Sequence, residues 1–189
     1  NALNLVLMRK AAYIFTVFFL MGCSNDYTPK PRGFFRIDLP EKEFQKSDLN
    51  CPFIFEHGQY SEIENREEHC WFNVQFPDLN GTLHMSYKGV QNNLHDHINN
   101  SHDLAYKHSR VAEGISEQPY QNPEKKVFGI VYDFEGSTAT AMQFYLTDSV
   151  HHFVRGALYF NTEVNDSITP VSEFLKADIY RLVDSWEWK

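Results

Sequence analysis

The stretch VFGIVYDFEGSTATAMQFYLTDSVHHFVRGALYFN, Val127 to Asn161, decides the fold. It reads as three strands in a row, residues 127–134, 138–147 and 151–161, joined by Glu135-Gly136-Ser137 and Asp148-Ser149-Val150. Successive side chains of a strand point to opposite faces. In the second strand Thr140, Met142, Phe144 and Leu146 share a face. In the third, Val154, Gly156, Leu158 and Phe160 share one face, and Phe153, Ala157 and Tyr159 the other. Apolar residues on both faces imply a sheet covered on at least part of its second face.

The cover is predicted on either side of this stretch. Residues 170–186 read as a helix, with Thr169 as cap and Pro170 suited to the first turn. Val171, Phe174, Leu175, Ile179, Leu182, Val183 and Trp186 make one apolar stripe. Residues 92–113 read as a second helix, capped by Asn92 or Asn93 and ended by Gly114. Leu94, Ile98, Ser101, Ala105, His108 and Ala112 lie along one of its faces. Residues 114–126, with Pro119 and Pro123, read as a long loop suited to covering an edge or forming a lid.

Further towards the N-terminus, short strands are expected at residues 34–39, 53–56 and 59–63. Residues 71–76 and 82–87 flank Pro77-Asp78-Leu79-Asn80-Gly81, a hairpin connection with an Asn-Gly signal. The sum is an α+β domain: an antiparallel sheet of about five to seven strands covered by a mid-chain helix and a C-terminal helix. The chain has 189 residues, 42% of them hydrophobic and 15% aromatic, which excludes disorder and coiled coils. Its net charge of −8 excludes nucleic acid as a partner, because phosphate binding needs a basic face.

Residues 1–23 read as a targeting segment rather than part of the domain. Arg9 and Lys10 precede an apolar run, residues 11–22, broken only by Thr16. That run is too short to span a bilayer. It ends in Leu20-Met21-Gly22-Cys23, which reads as a bacterial lipobox with Cys23 as the lipidated residue. A plain signal peptide or an uncleaved anchor is the alternative. Met8 is a candidate start, with residues 1–7 then read-through or a fragment edge. Cleavage at Cys23 leaves 15 cations against 25 acids, a charge of −10. Residues 24–33 read as a tether and residues 34–189 as one periplasm-facing domain. In an oxidising compartment Cys51 and Cys70 can bridge, stapling an N-terminal hairpin, or remain as buried thiols. Their spacing fits neither a zinc knuckle nor a CxxC pair.

No catalytic constellation stands out. His84, His95, His97, His102 and His108 are five of nine histidines, but none pairs with another at the helical chelating spacing. A metal site is therefore not expected, nor any cofactor. There is no Gly-x-Ser-x-Gly and no Ser-x-x-Lys. Ser137 fits a turn, and Glu67-Glu68 a solvated stretch. Two features remain. Arg155 sits in an apolar strand and needs a partner; Asp133 is a candidate, and an anion or partner contact is the functional reading. Arg32, Phe34, Phe35 and Arg36 have the composition of a protein–protein contact.

Several blocks are familiar together. They are Pro29-Lys30-Pro31-Arg32-Gly33-Phe34-Phe35-Arg36-Ile37-Asp38-Leu39-Pro40, Cys51-Pro52-Phe53 and Cys70-Trp71-Phe72-Asn73. With them come Leu104-Ala105-Tyr106-Lys107-His108, Gln143 to Ser149, Arg155 to Asn161, and Trp186-Glu187-Trp188-Lys189. In these the chain resembles the gliding motility lipoprotein GldD family of Bacteroidota, over essentially the whole mature chain. The resemblance implies a non-enzymatic role in gliding, linked to type 9 secretion. It also implies other gliding and secretion proteins as partners. It transfers one position, Cys23. The lipobox itself implies lipid anchoring in the cell envelope facing the periplasm, and Ser24 after Cys23, with Asp26 third after it, mildly favours the outer membrane over the inner. Two other classes stay open: a small-ligand carrier with a pocket beside residues 114–126, and a hydrolase using His102, His108, His151 and His152.

Overall fold

The computed structural model describes residues 37–66, 68–108, 112–136, 138–162 and 168–189, with His108 described for its backbone alone. All belong to the unit Phe35–Lys189. In chain order the elements are β1 (Phe44–Lys46), β2 (Phe53–Ile54), β3 (Glu56–Gly58), β4 (Glu62–Asn65), β5 (Phe72–Phe76) and β6 (Gly81–Gly89). Helix α1 (Leu94–His108) follows, then β7 (Gly114–Asn122), β8 (Val127–Glu135), β9 (Thr140–Thr147) and β10 (His152–Phe160). Helix α2 (Thr169–Ser185) and β11 (Glu187–Trp188) complete the domain. Seven strands form one antiparallel sheet in the order β4-β5-β6-β10-β9-β8-β7, and the α+β class holds.

Alternation along these strands sorts two apolar layers. Val74, Leu83, Met142, Phe144, Leu146, Val154 and Leu158 point to one face, where Val171, Leu175, Ile179, Leu182 and Val183 of α2 cover them. Tyr132, Phe134, Tyr145 and Phe153 point to the other, where Ala105, Leu94 and Ile98 of α1 meet them. All eight residues of β9 are buried, as a strand covered on both faces requires. At Gly156 a Cβ would lie 2.4 Å from the Phe144 ring, so the two strands pack there only because the residue is glycine.

Helix α2 is itself covered on its outer side. Lys176 Nζ meets Asp133 Oδ1 at 2.6 Å and Glu173 Oε1 at 3.2 Å. Burial works against the Lys176 charge, but these carboxylates outweigh it and hold the ammonium above its ordinary value. Lys42 Nζ reaches Asp178 Oδ1 at 2.7 Å, and Arg181 Nη2 reaches Glu56 Oε2 at 2.6 Å. These contacts pin the β1–β3 ribbon and the segment before it onto the helix. Beyond α2 the chain turns back, and β11 pairs with β2. The Trp186 ring is buried there, stacked 4.6 Å from Phe53 and 5.3 Å from Phe55.

Several expectations change. Residues 114–122 form a nine-residue edge strand, not a loop: Glu113 N donates to Glu135 O at 2.9 Å, and the ladder runs on to Asn122. Gly114 therefore opens a strand rather than capping a helix, and α1 ends before Glu113. Asn93 accepts the first bond of α1 through its carbonyl, from His97 N. Thr169 does not cap α2; the cap position is Ile168, with no side-chain bond. Residues 37–39 are not a strand, and the rest of the strand expected at 34–39 lies outside the described residues. Cys51 and Cys70 are joined by a disulfide, Cα to Cα 5.7 Å. It does not staple a hairpin, because β2 pairs with β11 while β5 lies between β4 and β6.

Two stability changes are expected. Trp186→Ala should lower the free energy of unfolding by about 3–5 kcal/mol, the range for deleting a buried large aromatic. Replacing both Cys51 and Cys70 by Ala should lower it by about 2–4 kcal/mol. Urea unfolding followed by fluorescence and circular dichroism checks both; a midpoint unmoved by either change would contradict the packing described.

Candidate functional site

Helix α1 covers only part of its face of the sheet. Over β8, β9 and the start of β10 it packs on apolar side chains. The same face of β4, β5 and β6 carries Glu64, Asn73, Gln75, Thr82, His84, Ser86 and Lys88 by strand parity. Where the apolar and polar halves meet, a cleft of about 370 Å³ opens between α1 and strands β5, β6 and β10. Its charged lining is Arg66, Lys88 and Arg155; Trp71, Leu104 and Phe153 supply apolar wall. His97, Asn100 and Ser101 line it from the helix, and Asn73, His84 and Ser86 from the strands.

Arg155 stands opposite Ser86 on β6 and Tyr145 on β9. Its Nη2 donates to Gln143 Oε1 at 2.5 Å. Asp133 is not its partner. Parity puts Asp133 on the α2 face, bound to Lys176, and Arg155 on the α1 face. Burial pulls the Arg155 guanidinium below its ordinary value, with Tyr159 acting against that shift; an arginine nevertheless stays charged.

The strand side of the cleft is a satisfied network. Asn73 Nδ2 donates to Glu64 Oε2 at 2.8 Å, and Asn73 Oδ1 lies 2.9 Å from His84 Nδ1. The helix side is not. Ser101 is 3% exposed, and its Oγ has no hydrogen-bond partner among the described residues; nor has His97 Nε2, one turn earlier on the same side of α1. The His97 ring packs 5.3 Å from Phe153. Burial and then Lys88 hold His97 below the ordinary histidine value, and burial and then Arg66 do the same to His84. Both are therefore neutral imidazoles at neutral pH.

The remaining candidates scatter. Cys23, Arg32, Phe34, Phe35 and Arg36 lie outside the described residues, as do Glu67 and Ser137. His102 stacks on Tyr106 at 4.3 Å on the α1 side. His152 lies on the opposite face, with Nδ1 2.8 Å from the Tyr87 hydroxyl and its ring 5.2 Å from Trp188. His151 approaches Asp148 at 3.6 Å. The sheet thus separates His102 from His152, His151 lies in the turn before β10, and the His108 side chain lies outside the described residues. Among the described residues no group of three or more His, Cys, Asp and Glu is placed to hold a metal ion, and no helix is long and apolar enough to cross a membrane. Sequence reading singled out Arg155, and weighed His84 and His97 only as metal ligands, without joining them to it. The signal for Ser101 was present: a lone hydroxyl in the apolar stripe of α1.

Compared with known families, residues 24–188 match the one described as gliding motility lipoprotein GldD. Comparison with curated proteins and with solved structures gives no match.

Three histidines, His57 buried, His97 half-buried and His84 exposed along one side, predict how stability follows pH. His57, like His84 and His97, is held below its ordinary value chiefly by burial. Below about pH 6.5 the unfolded chain binds protons that the folded chain refuses, so stability falls on acidification through that window and recovers above it. The urea midpoint at about pH 5.5 should lie below that at about pH 7.5, and His84→Asn should shrink the difference. An equal drop in the variant would remove His84 from the account.

Proposed function

The chain belongs to the gliding motility lipoprotein GldD family, and from that premise we propose that it is an assembly or stabilising component of the gliding machinery and its associated type 9 secretion system. It acts by protein contacts rather than by catalysis. Residues 1–23 are its lipoprotein signal peptide, Cys23 carries the lipid, residues 24–33 are the tether and residues 34–189 the periplasm-facing domain. The outer membrane is the favoured home over the inner. One observation carries this reading: the family match runs over residues 24–188, from just after Cys23 almost to the last residue.

Physical reasoning supports the details. Two or three acyl chains hold a protein firmly, where one alone binds marginally. A charge of −10 after Cys23 gives no electrostatic attraction to anionic lipid, so the anchor must do the holding. Arg32, Phe34, Phe35 and Arg36 combine the residue types that dominate contact energies, and they sit where the tether meets the domain.

The test is cross-linking and affinity capture from living cells, with a functional tagged copy beside a Cys23→Ala copy. The wild type should capture motility or secretion components, and the variant should lose both capture and gliding. If neither copy captures such a component, the assembly reading falls. If the variant captures and glides like the wild type, lipidation at Cys23 falls instead.

A further inference from the structure

We propose that the cleft between α1 and the β5–β6–β10 face binds a small organic carboxylate with an apolar stem. Charge is the first argument. In a chain with 25 acids against 17 cations, the cleft is lined by Arg66, Lys88 and Arg155; no carboxylate lines it, and Glu64, which lies behind Asn73 and offsets Arg66, leaves Lys88 and Arg155 as the cations that face a ligand. Three other depressions among the described residues mix the signs. Lys125 and Lys126 stand with Glu124, Asp148 and Glu187 in one, Arg181 with Glu56 and Asp184 in another, and Arg66 with Asp48 and Glu68 in a third. A concave surface of one sign concentrates counter-ions of the other.

The second argument is the unmet hydrogen-bonding capacity at the helix wall. Ser101 Oγ is buried, lines the cleft and has no partner among the described residues. A buried polar atom left unpaired is destabilising, and a ligand atom bonding to it would relieve that. The His97 Nε2 atom stands in the same condition one turn away.

Arg155 supplies the anchor. Gln143 fixes one arm of the guanidinium, which carries five N–H donors in a planar fork. That fork matches the two oxygens of a carboxylate. A serine hydroxyl and an imidazole can each serve one further lone pair. Trp71, Leu104 and Phe153 give the stem an apolar wall, and about 370 Å³ lies in the range of small-molecule sites. Lys88, exposed at the rim, steers the anion in. The carboxylate can come from a free small acid or from the end of a peptide chain. Neither depends on the assembly role proposed above.

Calorimetry on the full-length chain in lipid nanodiscs, against empty discs, tests this with 4-phenylbutyrate, its neutral amide and the tripeptide N-acetyl-Ala-Ala-Phe. The acid should bind at least about tenfold more tightly than the amide, the worth of a charge-assisted contact. Lys88→Gln and Arg155→Gln should each reduce that preference, and Ser101→Ala should weaken the acid by a few fold. Because Lys88 is exposed, its variant folds whatever happens at Arg155. Equal binding of acid and amide, no binding of the acid, or a preference unchanged in both cation variants would overturn the proposal. A tripeptide tighter than phenylbutyrate assigns the site to a chain end, and a weaker one to a free acid; the carboxylate site stands in both cases.

Discussion

A sheet that is apolar on both faces cannot leave either in water. The central strand β9 is buried along its whole length, and its neighbours alternate apolar residues to both sides. Each face must therefore be covered, and the chain has two helices with which to do it. Helix α2, with seventeen residues, covers its face together with the rings of Phe53, Phe55 and Trp186, and is then covered in turn by the β1–β3 ribbon. That outer cover is why α2 buries Asp178, paired with Lys42, while Lys176 on the sheet side of the helix is paired with Asp133 of β8. Helix α1 has fifteen residues and a narrower apolar stripe. It covers β8, β9 and part of β10, and there its cover stops.

The cleft follows from that shortfall. Beyond the reach of α1 the same sheet face turns polar, with Asn73, Thr82, His84 and Lys88 in place of Tyr132, Phe134 and Tyr145. An antiparallel sheet tolerates such a half-wet face. At the seam the helix presents Ser101 and His97 to a surface that cannot pair them, and β10 presents Arg155. The cleft's chemistry is the chemistry of this boundary.

Much of the fold was legible because its signals are local. Strands β8 to β10 show period-two alternation, and α2 shows its stripe. The edge strand β7 was not legible: Ser116, Glu117, Gln118 and Gln121 face water or a helix rim, and Pro119 reads as a loop residue although an edge strand accepts it. The disulfide's surroundings were misjudged because β2 pairs with β11, a partner that no local pattern announces. At the site, Arg155 was legible as a cation in an apolar strand. Asp133 was mispaired because its face depends on the register between β8, β9 and β10, which is a property of three strands together. Ser101, His97 and Lys88 meet Arg155 only through the order β6-β10 and the placing of α1, so no spacing in the sequence joins them.

The return of the chain to its own beginning also governs how the domain is made. Glu56 N bonds Ser185 Oγ across 129 positions, and Lys189 Nζ bonds Leu49 O across 140. The aromatic cluster around Trp186 takes rings from both of these regions, so neither can bury its share alone. Such contacts carry a large loop-closure entropy and favour a slow, all-or-none transition over assembly in pieces. A chain synthesised up to α1 holds strands with one face uncovered and Phe53 and Phe55 without their stacking partner. Until its final turn arrives, Phe53 and Phe55 lack the Trp186 ring that completes their cluster.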